Sequence, residues 1–242
     1  MNKVKNFPLS GTALDFIKIA AAVLMLIDHI DHQLLERSAG FLYLVGRGAY
    51  PLFAFAAASA LVRGGMEKAP HYAVRLLILA VLIVPVLRYS RDVEAANILF
   101  TLAIGMGIAP FVIAQGRLVK YTLFGAGLLT ILMPNIFEFG FAGALLPVLF
   151  YLYIKKEVGG WWLWPMLAAA NFGGICSLMD SFEPMMLTGM IAVALATIVI
   201  PMGIIYLGGF LPNDRKRLMP KYFLHVFYPA HIFILAVIAK FL

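Results

Sequence analysis

The sequence predicts an all-α fold: a polytopic integral membrane bundle of about nine transmembrane helices, forming one domain over residues 1–242. Of its 242 residues, 63% are hydrophobic and only 13% are charged, and the mean hydropathy is +0.93. A soluble domain is about 45–50% apolar by a comparable count. The apolar excess falls in long runs without the alternation of a barrel, so helices must satisfy the backbone inside the bilayer.

Nine apolar runs emerge when the chain is read with a window of about 19 residues. The predicted spans are 14–35, 41–62, 71–88, 97–114, 119–133, 141–155, 161–179, 185–207 and 222–241. The fifth and sixth are short for a hydrocarbon core of about 30 Å. Gly and Pro residues fall at the predicted turns, and no repeat or linker divides the chain. We therefore expect a single domain embedded in the lipid bilayer.

Basic residues concentrate in alternate connections between these spans. One set comprises Lys3, Lys5, Arg63, Lys68, Arg117, Lys120, Lys155, Lys156, Arg215, Lys216, Arg217 and Lys221, whereas the opposite connections carry fewer. Cytoplasmic loops are enriched in Lys and Arg. The pattern predicts a cytoplasmic N-terminus and a periplasmic C-terminus. It also accounts for the net charge of +7 without a nucleic-acid partner.

The first span carries ionisable side chains at membrane depth. Asp15, Lys18, His29 and His32 fall within one stripe about 100° wide on the helix. Lys18 and His29 lie eleven positions apart, which is about three turns or ~16 Å along the axis. Such groups usually face a bundle interior and mark a functional site. We expect Asp15 to pair locally with Lys18, and Asp31 and His32 to reach the outer interface.

Three later spans add polar residues. Arg47 lies within or near the outer leaflet of the second span, where snorkelling to the interface is the alternative to a functional role. Asn97 opens the fourth span, and helix capping is the simpler explanation for it. The ninth span buries Tyr228 and His231 one turn apart. His231 is predicted at a depth similar to that of His29, and two histidines at similar depth favour a shared function.

Three functions fit this histidine-rich interior. A metal site could use Asp28, His29, Asp31 and His32, but both aspartates point about 100° or more away from the His29 face. Since Cys176 is also the single cysteine, no metal is predicted. A proton-coupled transporter is possible, although we find no paired repeats with broken helices in the sequence. An acyltransferase would use a deep histidine as general base and a cation near the cytoplasm to hold acyl-CoA.

Several motifs, taken in chain order, resemble the TraX family. They are DxxK and LIDHI in the first span, GRGAYPLFAF at 46–55, NILF at 97–100, GxAG at 140–143 and FYPAH at 227–231. TraX proteins are inner-membrane enzymes of conjugative plasmids that acetylate the N-terminal amino group of the pilus subunit. The spacing of Lys18 and His29 is also similar to a signature of the acyltransferase-three superfamily, which moves acyl groups from cytoplasmic acyl-CoA, chiefly to carbohydrates.

The resemblance implies an acetyl-CoA-dependent N-acetyltransferase of the bacterial inner membrane, with a pilin subunit as acceptor. It implies that His29 is the base acting on the acceptor amine. Asp28 would be its acidic neighbour, and His231 would complete the catalytic group from the ninth span. An envelope carbohydrate O-acyltransferase and a proton-coupled transporter remain the alternatives.

The resemblance also implies where the donor binds. Acetyl-CoA would contact Lys18, Arg47, Asn97 and Tyr228. Lys18 would hold the CoA phosphates or the pantetheine region on the cytoplasmic half. Arg47 would steady the thioester oxyanion or the donor, because fixed positive groups are most effective in a site of low dielectric constant.

Overall fold

The computed structural model describes residues 11–36, 40–90, 97–129, 139–179, 186–212, 217–220 and 222–241. Within these ranges the chain is all-α, as predicted, and contains no strand. The helices are α1 (Gly11–Gln33), α2 (Gly40–Gly46), α3 (Ala49–Gly64), α4 (Ala69–Leu82), α5 (Val84–Tyr89), α6 (Ile98–Ala114), α7 (Arg117–Leu129), α8 (Gly140–Ile154), α9 (Leu163–Met179), α10 (Met186–Gly208) and α11 (Phe223–Ile238). Short 3-10 turns, Met66–Lys68 and Gly160–Trp162, precede α4 and α9.

Each predicted span coincides with helix in the described ranges. Seven spans match one helix each, and the second and third are interrupted, forming α2–α3 and α4–α5. Among the described residues, three helical stretches are long and apolar enough to cross a membrane: Gly40–Gly64, Met66–Tyr89 and Ile191–Gly208. Shorter apolar helices are Ile98–Ala114, Gly140–Ile154 and Phe223–Ile238. The count of nine transmembrane helices and the orientation of the termini stay predictions.

The surface of α4 supports a membrane environment. Most of the exposed side chains along this helix are large and apolar, namely Val74, Leu77, Ile78, Val81 and Leu82. Soluble proteins rarely expose a continuous apolar surface of this kind. The α10 helix likewise exposes apolar side chains along its length, among them Ile191, Leu195 and Val199.

The second predicted span breaks at Arg47 and Gly48. There the amide of Arg47 donates to the Tyr43 carbonyl at 3.1 Å, and the amide of Gly48 donates to Val45 at 3.2 Å. Pro51 follows in the first turn of α3 and has no N–H to offer the Arg47 carbonyl, which interrupts the helical ladder. The span predicted over 41–62 therefore consists of two helices, because two turn-forming glycines and a proline surround Arg47.

The α8 helix forms the centre of the bundle, packed against α3, α6 and α9. Small residues permit this packing: a Cβ on Gly105 of α6 would collide with the Ala144 carbonyl of α8. Pro147 cannot donate to the Gly143 carbonyl one turn earlier. The hydroxyl of Tyr50, from α3, donates to that carbonyl at 2.7 Å instead. A side chain from α3 therefore satisfies the backbone group that the proline leaves open.

The beginnings of α1 and α11 lie close to the end of α3. The amide of Leu218, just before α11, donates to Asp15 Oδ2 of α1 at 3.0 Å. Lys18 interacts electrostatically with Arg63 at the end of α3 and with Arg217. These three helix ends therefore lie on the same side of the molecule.

The end of α8 lies on this side as well. Tyr151 of α8 interacts electrostatically with Glu67, in the turn after α3, and with Glu157. Lys120 of α7 pairs with Glu157 at 3.2 Å. We call this side the basic end; it includes Lys18, Arg63, Lys68, Arg117, Lys120, Lys155, Lys156 and Arg217. It is the end predicted to face the cytoplasm, and the other is the opposite end.

Candidate functional site

Two imidazoles meet where α1 packs against α11. His29 Nδ1 lies 2.7 Å from His231 Nε2, although the residues are 202 positions apart in the sequence. The ring centroids are 4.9 Å apart and the planes are tilted by 30°. Helix α11 thus supplies a wall opposite His29, and the two histidines that share a predicted depth are in direct contact.

The hydrogen-bond pattern assigns the protons of this pair. His231 Nδ1 lies 2.8 Å from the Phe227 carbonyl, which can only accept, so Nδ1 of His231 carries a hydrogen. In neutral His231 the Nε2 atom is then an acceptor, and Nδ1 of His29 donates to it. Neutral His29 consequently carries its lone pair on Nε2, which is the nitrogen able to take a proton.

Asp28 and Arg47 form a buried ion pair beside these rings. Arg47 Nη2 lies 2.7 Å from Asp28 Oδ2, and the side chains are only 5% and 12% exposed. The guanidinium carbon of Arg47 lies 4.8 Å from the Tyr43 ring centroid and 5.5 Å from that of Phe139. Asp28 was predicted as an acidic neighbour of His29. The carboxylate of Asp28 pairs with Arg47 and so fixes the guanidinium group in position. Arg47 and His29 line the same cavity.

A small cavity is lined by both His29 and the Asp28–Arg47 ion pair. Its volume is about 20 Å³, which is enough for about one water molecule. The lining includes the first residues of α3 and α6 and the residue just before α8, so the cavity lies towards the opposite end of the bundle. Lining residues are Met25, Asp28, His29, Gly46, Arg47, Ala49, Tyr50, Ile98, Phe139 and Tyr228.

Three aromatic side chains hold the walls of this cavity. Tyr228 meets the His231 ring edge-on, with centroids 5.8 Å apart. Tyr50 stacks on Phe139 at 4.0 Å between centroids. The sequence reasoning selected Tyr228 but not Tyr50 or Phe139. The GRGAYP motif offered a signal for Tyr50, because the tyrosine adjoins Arg47.

Lys18 lies away from this cavity, at the basic end. Its ammonium group is 3.3 Å from Asp15 Oδ1, as the sequence predicted for this pair. Arg63 and Arg217 interact electrostatically with Lys18. Three cations and one carboxylate thus lie near one another, which makes this part of the basic end attractive to an anion. In the sequence, Arg63 and Arg217 indicate only the topology, because their proximity to Lys18 depends on the packing of three helices.

Asn97 is a helix cap in the structure. Its Oδ1 accepts from the Leu99 amide at 3.0 Å, and its Nδ2 donates to the Ala80 carbonyl of α4 at 3.3 Å. Both ends of the side-chain amide are therefore used by backbone groups. This geometry supports capping, the simpler interpretation, over contact with a donor.

Asp31 contradicts one expectation. The residue is fully buried, whereas the sequence reasoning placed it at the outer interface. Hydropathy alone could not show that other helices cover the end of α1.

In the part of the chain that the structure describes, no group of three His, Cys, Asp or Glu side chains is close enough to hold a metal ion.

Gly46 allows the approach of α2 to Asp28. A Cβ at Gly46 would collide with the Asp28 side chain and lie 2.9 Å from its Cα. We expect Gly46→Ala to lower the free energy of unfolding by about 1–3 kcal/mol through overpacking. Thermal unfolding in detergent measures this. Gly203→Ala is the matched control, since a Cβ there would meet nothing within 4 Å; equal stability of the two variants would contradict the close contact.

Comparison with curated proteins and with solved structures gave no match. The comparison with protein families gave one. The family model described as TraX protein matches residues 13–239. That range covers nearly the whole chain and includes every helix that contributes to the cavity. The chain belongs to the TraX family.

Proposed function

We propose that this chain is an acetyltransferase of the bacterial inner membrane that moves an acetyl group from cytoplasmic acetyl-CoA to the N-terminal amine of a pilin subunit. Membership in the TraX family relates the chain to conjugation and to pilin. The observation that carries the proposal further is the hydrogen-bonded pair of His29 and His231 beside a small buried cavity.

His29 acts as the general base. The acceptor amine attacks the thioester carbonyl carbon, a C–N bond forms, the C–S bond breaks and CoA leaves as a thiolate. Nε2 of His29 takes the proton that the amine nitrogen loses and passes it to the thiolate. An α-amine has a pKa of about 7.7–8.0, so the base needs little basicity and positioning contributes much of the catalysis.

His231 orients and stabilises His29. Its Nε2 accepts from Nδ1 of His29, which keeps the basic lone pair on Nε2 of His29. When His29 takes a proton, the same hydrogen bond stabilises the imidazolium. The Phe227 carbonyl holds His231 in this tautomer. Tyr228 supports the ring of His231 from its edge.

Arg47 provides positive charge where the oxyanion develops. It lines the same cavity as His29 and is held by Asp28 at 2.7 Å. A guanidinium fixed before the reaction stabilises the tetrahedral intermediate without reorganisation, and a buried site strengthens the effect. Asp28 neutralises the charge of Arg47 when no oxyanion is present. Asp28 therefore acts on the reaction by positioning Arg47, and not by contacting His29.

The donor enters from the basic end. The CoA phosphates bind near Lys18, with Arg63 and Arg217 adding positive charge. Lys18 and His29 share one helix and lie about 16 Å apart along its axis, so the pantetheine arm runs along α1 between them. The cavity of about 20 Å³ is smaller than an acetyl thioester and must widen when the donor enters.

A proton-coupled transporter is the second candidate, and the interrupted second span favours it. Broken helices beside a polar interior are common in secondary transporters. Here Arg47, at the break, lines the cavity with His29. A transporter would catalyse ion-coupled uptake in proteoliposomes and release no CoA thiol.

The direct test uses a pilin subunit made in cells with and without this chain. We expect intact-mass spectrometry to show one added acetyl group only when the chain is present. Purified protein in liposomes should release CoA thiol from acetyl-CoA when pilin is added. An unmodified pilin together with acetylated envelope carbohydrate would favour the O-acyltransferase alternative. Uptake without thiol release would favour the transporter.

A further inference from the structure

A second cavity lies at the basic end, away from the histidine pair. It occupies about 360 Å³ between the end of α6, the start of α7 and the turn after α8. Ligand sites usually measure about 300–1,000 Å³. The polar side chains that line it are Gln115, Arg117, Lys120, Tyr121, Lys156 and Glu157. None of these residues takes part in the proposed acetyl transfer.

The charges around this cavity favour an anion. Lys120 is buried and pairs with Glu157 at 3.2 Å. Arg117 and Lys156 add two further cations, so the lining has three positive groups and one negative group. The cavity also faces the beginning of α7, where the helix dipole is positive. A phosphate group would offset this excess of positive charge.

The surroundings favour a lipid over a soluble phosphate. Leu118 and Val119, next to Arg117 on α7, are 79% and 42% exposed, and Phe111 on α6 is exposed as well. Trp161 lies exposed in the turn before α9. Aromatic residues are enriched at the level of lipid headgroups. Basic pockets between helices at a membrane surface are typical sites for anionic headgroups.

We propose that this cavity binds the headgroup phosphate of an anionic phospholipid. Arg117 and Lys156 contact the phosphate, and the Lys120–Glu157 pair forms the floor. The acyl chains lie along the exposed apolar side chains of Leu118 and Val119. The site is separate from the histidine pair, so it stands whether or not the chain transfers acetyl groups.

Native mass spectrometry of the detergent-purified protein tests this proposal. The probes are phosphatidylglycerol, phosphatidylcholine with the same acyl chains, and inorganic phosphate. We expect phosphatidylglycerol to bind and phosphatidylcholine to bind weakly. The double variant Arg117→Gln with Lys156→Gln should bind phosphatidylglycerol about 30-fold more weakly, since each basic group near the surface contributes about a fivefold attraction.

The control is the double variant Lys68→Gln with Lys155→Gln. It removes the same charge from exposed residues of the basic end that do not line the cavity. It should retain most of the affinity for phosphatidylglycerol, and both double variants should unfold at the temperature of the unmodified protein. Equal loss of binding in the two double variants would overturn the site in favour of general surface attraction. Displacement of the lipid by inorganic phosphate would overturn the choice of a lipid.

Discussion

His29→Ala is expected to reduce pilin acetylation by about 10²–10⁴-fold, the range that a positioned general base contributes. The variant removes the nitrogen that takes the amine proton and leaves His231 without its partner at 2.7 Å. Initial rates of CoA thiol release in liposomes, with intact-mass spectrometry of the pilin, measure the loss. His231→Ala should reduce the rate less, because His231 acts by orienting His29.

His225→Ala provides the control for this prediction. His225 is an exposed histidine on α11, outside the lining of the cavity. Its replacement should leave the rate of acetyl transfer near that of the unmodified protein. Acetylation at the normal rate in His29→Ala, with correct folding, would eliminate the proposed base. Equal losses in the variants of His29 and His225 would indicate a general effect of removing histidines.

Asp28→Ala is expected to lower the free energy of unfolding by about 3–5 kcal/mol, because it leaves the charge of Arg47 buried without its carboxylate. The Arg47 side chain is 5% exposed in this pair. Thermal unfolding in detergent measures the change. Replacing both partners, with Asp28→Ala and Arg47→Met, should recover much of the stability, since no unpaired charge then remains in the interior.

Lys120→Met serves as the comparison for the buried pair. It leaves Glu157 without its partner at 3.2 Å, but the Glu157 side chain is 45% exposed and its charge stays in contact with water. A partly exposed pair contributes about 0–1 kcal/mol, so this variant should change stability little. If Asp28→Ala were as stable as Lys120→Met, the contact between Asp28 and Arg47 would not stabilise the protein. A double variant less stable than Asp28→Ala would contradict the unpaired-charge explanation.

Most of the helical architecture could be predicted from local properties of the chain. Hydropathy located the helical segments within a few residues, because a long apolar run must satisfy its own backbone in lipid. The interruption at Arg47 escaped prediction, because total hydropathy over 41–62 identifies a span but not a break within it. The burial of Asp31 escaped for a related reason: a sequence window does not show which neighbouring helix covers a residue.

The candidate site was predictable in composition but not in pairing. Helical periodicity and family motifs selected His29, Asp28, Arg47, Tyr228 and His231. Periodicity within one helix indicates which residues share a face, but not which residue of another helix they meet. For this reason the pairing of Asp28 with Arg47 and the contact of Asn97 with the Ala80 carbonyl emerged only from the packing of helices against one another.

The sequence by itself determined that this protein is helical, that it suits a membrane and that it belongs with TraX proteins, because composition, periodicity and motif order are properties of a linear chain. The tertiary structure alone decided that His29 meets His231, that Asp28 pairs with Arg47 and that Arg63 and Arg217 surround Lys18. Each of these contacts joins different parts of the chain. The packing of α1 against its neighbours, rather than any local preference, brings them together.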